Sequence, residues 1–236
     1  MASSGKKHSS ITEEEVRSEI AQVLADSRFT RLEAAERGLR AQPVADRSRA
    51  TFDAIIDTAA QVLDDVPLRD ITTHLIADRA QVNIATLYRY FSDLESVLVE
   101  FDLRFQRMSL TGIGEMAARG AFAEDRRAWI DEMIDLATVL RTDTPGAIGI
   151  ARDGHAMPQV REINRAAEEV AAQMLAVGLD HYSPGRPREE WAAAALTVIR
   201  SVSRCLDEAC STRPADMEQV ELLKDLTERF FEPYFE

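Results

Sequence analysis

Ten Gly and eight Pro in 236 residues leave long stretches in which nothing interrupts a helix, and 34 Ala help to fill them. Ala is the strongest helix former, and Gly and Pro are the weakest. With few runs of alternating β-branched residues, the expected fold class is all-α. The apolar spacing agrees: Phe52, Ile55, Ile56, Ala59, Leu63 and Val66 recur at helical intervals, and Pro67 ends that stripe. Further helices are predicted near 93–118, 122–141, 145–153, 158–182, 187–211 and 214–231. Pro145, Pro158, Pro187 and Pro214 then fall in first turns, which tolerate a missing N–H.

The length fits one or two domains, and the chain reads as three segments. Residues 1–45 form an N-terminal helical extension, 46–92 a set of short helices, and 93–236 a bundle of long ones. In the extension, Thr12 and Glu15 have capping-box spacing. Thr30 and Glu33 repeat that spacing before Leu39, and Gln42-Pro43-Val44 reads as a linker. Two short amphipathic helices cannot bury their own stripes, so they are expected to dock on the rest of the chain. Ser92 with Glu95 is predicted to cap the helix beginning at 93.

Lys and Arg total 28 against 41 Asp and Glu, a net charge of −13. That disfavours a protein that coats nucleic acid through a generally basic surface. No apolar run approaches a membrane span, and MASSGKKHSS lacks the apolar core of a signal peptide. The expectation is a soluble, cytoplasmic protein with no membrane partner. Cys205 and Cys210 do not have zinc-finger spacing, and free thiols are expected. None of the four His follows a Glu by three positions, and neither a Gly-x-Ser-x-Gly elbow nor a Walker loop occurs. Gly112-Ile113-Gly114 with Ala117 imitates a dinucleotide fingerprint but follows a helical stretch rather than a strand. The reading is a non-enzyme without metal or cofactor.

The informative segment runs from Ile71 to Phe91. Two short helices are separated by Gln81-Val82-Asn83, room for a tight turn only. That is a helix-turn-helix, whose second helix enters the DNA major groove while the first spans the backbone. Ile76, Ala80, Val82 and Leu87 are expected to pack the pair together. Asn83, Ile84, Ala85, Thr86, Tyr88 and Tyr90 are then left facing outward. An Ile84-Ala85 pair at a helix start suits thymine methyls, and the hydroxyls of Thr73, Thr86, Tyr88 and Tyr90 suit phosphate oxygens. From Arg79 to Ser92 there is no carboxylate, while Arg89 is present and Arg47 and Arg49 open the preceding helix.

Ile76-Ala77-Asp78-Arg79-Ala80, then Val82, then Thr86-Leu87-Tyr88-Arg89-Tyr90-Phe91, with Leu98 beyond, resembles the TetR family of bacterial transcriptional regulators. The resemblance covers about residues 47–98. It implies a homodimer bound to a double-stranded DNA operator with two half-sites. It further implies a helical pocket whose small-molecule effector releases the DNA, so that the protein acts as a repressor. By the same resemblance Ile84 and Ala85 read bases, and Thr73, Thr86, Tyr88 and Tyr90 face phosphates. Two departures stand out: Gln81 occupies a turn position where the family usually has Gly, and Leu94 one where it often has Lys. Arg89, Arg47 or the extension would then supply the missing phosphate contact. The alternative reading is a helical adaptor of the same fold that binds a protein partner and has lost operator binding.

In the bundle, Phe101, Phe105, Met108, Trp129, Met133, Met157 and Met174 are candidate pocket-lining residues, with Arg152 and His155 as polar anchors. Plain core packing is the competing reading for each apolar one. Trp191, Leu196, Ile199, Val202 and Leu206 mark one stripe, and Val220, Leu223, Leu226, Thr227 and Phe230 another. Two such helices per subunit would build a four-helix dimer interface.

Overall fold

A computed structural model describes residues 12–32, 38–120, 124–183 and 185–235. Eleven α-helices lie in this part of the chain. They are α1 (Glu13–Asp26), α2 (Arg28–Arg31), α3 (Asp46–Asp65), α4 (Thr73–Arg79), α5 (Ile84–Tyr90) and α6 (Leu94–Arg119). Then come α7 (Arg126–Asp143), α8 (Ala147–Asp153), α9 (Pro158–Tyr182), α10 (Arg188–Ala209) and α11 (Met217–Phe231). The fold is all-α, as the composition predicts. The only extended pairing among the described residues is one antiparallel bridge between Leu39 and Phe91.

Helix starts follow the available caps. The Thr12–Glu15 box forms in both directions: the Glu15 amide donates to Thr12 Oγ1 at 3.3 Å, and the Thr12 amide to Glu15 Oε2 at 2.7 Å. Of the second predicted box only Thr30 is described, and it lies inside α2 rather than at a helix start. Ser27 caps α2 by accepting from the Thr30 amide at 3.1 Å, while Thr30 itself donates to the Leu24 carbonyl; Glu33 lies outside the described residues. At α6 the box is one residue later than Ser92–Glu95. Asp93 accepts from the Ser96 amide at 2.8 Å, and Ser96 Oγ accepts from the Asp93 amide at 3.2 Å. A carboxylate at the positive end of a helix is the better cap, and Ser92 is left to donate to Asp93 Oδ2. Asp125 and Asp216 likewise set the starts of α7 and α11, later than the predicted 122 and 214.

The extension docks as expected. Val16, Ile20 and Phe29 are almost fully buried, α1 lies on α6 and α9, and α2 lies on α9. Each buried side chain is worth roughly 1.5–3 kcal/mol. Polar contacts ring that seam: Arg17 pairs with Glu115 at 3.0 Å, Glu19 bonds His181 at 2.7 Å and also meets Arg188, and Arg28 meets Glu162. Beyond it the chain reaches the end of α5, where the Arg40 amide donates to the Tyr90 carbonyl at 2.8 Å and the Ser92 amide to the Gly38 carbonyl at 3.0 Å.

Helices α3, α4 and α5 form a compact trio against the start of α6. The bundle of α6 to α11 meets α3 through α6 and α8. The Gly112-Ile113-Gly114 run lies inside α6, where small size serves packing. A Cβ on Gly112 would stand 2.7 Å from Leu136, and one on Gly114 would stand 2.7 Å from Met174.

Candidate nucleic-acid interface and ligand cavity

The turn between α4 and α5 closes as a Schellman motif. The Val82 amide donates to the Ala77 carbonyl at 3.0 Å and the Gln81 amide to that of Asp78 at 3.1 Å. Gln81 sits at φ +56°, the left-handed conformation such a closure requires. Asn83 then caps α5, its Oδ1 accepting from the Ala85 amide at 2.8 Å. That contact uses the oxygen and leaves the amide nitrogen of Asn83 as its outward group. The Thr72 hydroxyl caps α4 in the same manner.

One face of α5 is core and the other is open. Leu87 and Tyr90 are buried, whereas Asn83, Ala85 and Arg89 are exposed and Ile84, Thr86 and Tyr88 are half-buried. Tyr90 departs from the outward placement predicted for it, being only 2% exposed. It shares the helix face of Leu87, and its ring meets Phe52 edge-on at 5.6 Å while Phe91 stacks on the same Phe52 at 4.9 Å. Its hydroxyl accepts from Arg89, whose guanidinium lies 4.5 Å from the ring centroid. Tyr90 is therefore a support for Arg89 and is withdrawn from the phosphate-facing set.

Tyr88 points the other way. Its hydroxyl lies 2.9 Å from Thr73 Oγ1, joining the start of α4 to the middle of α5. Thr73 is itself buried at 9% exposure, so of this predicted phosphate-facing pair Tyr88 carries the accessible surface. Arg47 and Arg49, on the first turn of α3, are exposed. Arg79 pairs with Asp65 at 3.4 Å. Leu94 is the first residue of α6 and half-buried.

A cavity of about 190 Å³ lies within the bundle, walled by α6 to α11. Phe105, Trp129, Met133 and His155 line it, together with Leu110, Ile134, Leu175 and Phe231. Five other candidates lie elsewhere, among them Met157, which is buried in the core. Phe101 is core, Met108 is 42% exposed, Met174 packs toward Gly114, and Arg152 pairs with Asp153 at 2.8 Å. The Arg152 guanidinium holds the Asp153 carboxyl below the usual carboxylate range.

Among the polar lining residues that escape the sequence reading are Asp102, Gln106 and Asn164. Gln106 Nε2 donates to Asn164 Oδ1 at 2.6 Å and lies 3.4 Å from Asp102 Oδ1. Asp102 is 1% exposed, and its other oxygen has no hydrogen-bond partner among the described residues. Burial pushes its carboxyl up to about 7. A signal for it existed, because Leu98, Phe101 and Phe105 form an apolar stripe into which Asp102 falls at helical spacing.

The cavity walls are also the helices that touch the trio. Arg104 of α6 donates to Asp53 of α3 at 2.6 Å. At α8 the backbones approach closely: a Cβ on Gly149 would stand 2.5 Å from the Leu63 carbonyl oxygen. The Leu68 amide donates to Asp153 Oδ2 at 3.3 Å.

The stripes proposed for association divide. Trp191, Leu206 and Leu223 belong to the protomer's own core. Leu226 is 59% exposed and Leu222, one turn before it, 62%, while Ile199, Val202 and Phe230 are half-buried.

Comparison with known proteins matches residues 55–101 to the family described as bacterial regulatory proteins, tetR family. Among solved structures the chain is similar to a TetR-family transcriptional regulator from Streptomyces coelicolor. The TM-score is 0.59 at 20% identity, covering 80% of this chain and 100% of that one. It is also similar to the fatty acid degradation regulator FadR from Bacillus halodurans, with TM-score 0.57, 16% identity, and coverage of 77% and 95%. At these identities the likeness is one of fold. Curated proteins yield no match. Among the described residues no helix is long and apolar enough to cross a membrane, and no group of His, Cys, Asp or Glu is arranged to hold a metal ion.

Proposed function

We propose, from the match of residues 55–101 to the tetR-family model, that this chain is a TetR-family, ligand-responsive repressor. It binds, as a homodimer, an operator with two half-sites. The observation that carries the reading is α5 itself: Leu87 and Tyr90 fix it to the core while Asn83 to Thr86 and Tyr88 stay available to a groove. Ile84 and Ala85 read base edges, and their apolar surface suits thymine methyls. Thr86, the Tyr88–Thr73 pair, Arg47, Arg49 and Arg89 hold phosphates. Residues 46–92 form the DNA-binding domain and 93–236 the effector and dimerisation domain, on which α1 and α2 dock.

Leu222 and Leu226 support the dimer, since an exposed apolar pair one turn apart on α11 fits a second copy of the same helix. Effector control is supported by the shared walls: α6 and α8 line the cavity and also contact α3. A ligand that repositions those helices alters the separation of two α5 helices, and half-site spacing tolerates little change. No enzymatic step is needed for this activity.

Selection from sheared genomic DNA, followed by a salt titration on the recovered fragments, tests it. A regulator binds a few sites with affinity that falls steeply as salt rises. Ile84→Ala should relax base preference at particular positions, and Thr86→Ala should weaken every site alike. Equal, weak retention of all fragments would overturn the proposal.

A further inference from the structure

The cavity is lined mainly by apolar side chains, and its charged groups other than Asp102 are engaged with neighbours. Arg141 donates to Asp207 at 2.9 Å and to the Ala137 carbonyl at 3.0 Å. Arg204 contacts His155, and Glu168 accepts from Arg200 at 3.0 Å. Gln106 donates to Asn164. Among the described residues Asp102 Oδ2 is the one buried side-chain acceptor with no hydrogen-bond donor, and Asp102 is one of the residues that line the cavity. A buried polar atom left without a partner costs about 1–3 kcal/mol, so the bare oxygen is a place where a donor is strongly favoured.

Size narrows the visitor. About 190 Å³ exceeds the roughly 150 Å³ that accepts benzene and falls below the roughly 300–1,000 Å³ of drug-sized sites. The space fits a single ring or a short branched chain with one polar head. An anionic head would find both cavity arginines engaged and would meet Asp102, whereas a cationic head would complete it.

Building on the reading of this cavity as the effector site, we propose that its ligand is a small organic amine, with an apolar body against Phe105, Trp129 and Met133 and an ammonium group donating to Asp102 Oδ2. A charged hydrogen bond out of water discriminates strongly against neutral and anionic heads. The upward displacement of the Asp102 carboxyl by burial accords with an anion that lacks its partner until the amine arrives.

The test is a calorimetric titration of the full chain with four probes of one shape: 2-phenylethylamine, 2-phenylethanol, ethylbenzene and 3-phenylpropionate. The amine should bind roughly 10- to 100-fold more tightly than the alcohol, and the acid should not bind. In Asp102→Asn the amine should lose that advantage while ethylbenzene is unchanged, which also reports that the variant is folded. Equal affinity for amine and alcohol, preferred binding of the acid, or an Asn variant that keeps the amine would each overturn the proposal, and the first two need no variant. Binding of ethylbenzene without an amine preference sinks the amine alone, whereas silence from all four removes the cavity as a ligand site as well. Amine binding that leaves DNA affinity unchanged supports the ligand class and refutes the effector role.

Discussion

Replacing Asp102 by Asn should make the protein progressively more stable than the native sequence as pH rises. The native carboxyl titrates at about 7 because it is buried, against 3.8 for the free side chain. A raised acid pKa means that the folded state holds its proton where the unfolded state has released it. Stability contributed by this group is therefore present below about pH 4, drains away between about 4 and 7, and is gone above that. Three units at about 1.4 kcal/mol each give roughly 4 kcal/mol in full. Asn has the same shape and no proton to lose. The difference in unfolding free energy, variant minus native, should thus widen by about 2–3 kcal/mol between pH 5 and pH 8. Urea melts of both proteins at one concentration and four pH values measure it, and the subtraction removes every titration the two share. Parallel stability curves would mean that Asp102 is ionised and solvated in the folded protein, and the argument from its burial would fail.

Gln81→Gly should raise the melting temperature by about 2 °C. It relieves a left-handed side chain worth roughly 1–2 kcal/mol, less the extra freedom glycine gives the unfolded chain; an unchanged or lower value would refute the strain. Gly149→Ala should destabilise by about 1–3 kcal/mol in a denaturant melt, because its Cβ would stand 2.5 Å from a backbone oxygen of α3 that cannot rotate away. Gly185→Ala, where nothing lies within 4 Å, is the control and should stay within about 0.5 kcal/mol of native. Gly38→Ala combines φ +64° with a Cβ 2.8 Å from Ser92 Oγ. Hydrogen exchange should accelerate at the Arg40 and Ser92 amides, and unchanged protection would show that the bridge to Phe91 tolerates the side chain.

Much of this architecture is written in local spacing. The stripe on α3, the Thr12 box and the tight turn before α5 each depend on residues within a few positions of one another. What failed depends on partners far along the chain. Tyr90 and Tyr88 are alike as aromatic alcohols; Tyr90 lies on the face of Leu87, and the ring of Phe52, 38 positions away, completes its burial. Trp191 and Leu226 both look like association residues. The aromatic cluster of Tyr234 and Phe235 covers the first, whereas the second stays 59% exposed among the described residues. Asp102 was hidden for a different reason: a lone carboxylate reads as surface unless its apolar neighbours at three and four positions are weighed with it. The Asp93 cap shows the local limit too, since two adjacent residues offered capping boxes and only acceptor strength chose between them.

The docking of α1 and α2 on α9 has a consequence during synthesis. The contacts that seal them, Arg28 to Glu162 and Glu19 to Arg188, join residues 134 and 169 positions apart. At about 5–20 residues per second the ribosome needs on the order of ten to thirty seconds to deliver that partner. Throughout that interval the greasy sides of Val16, Ile20 and Phe29 lack their α9 cover, and only the α6 surface reaches α1 earlier. A helix that locks the finished molecule is, while the molecule is being made, the stretch most in need of a chaperone.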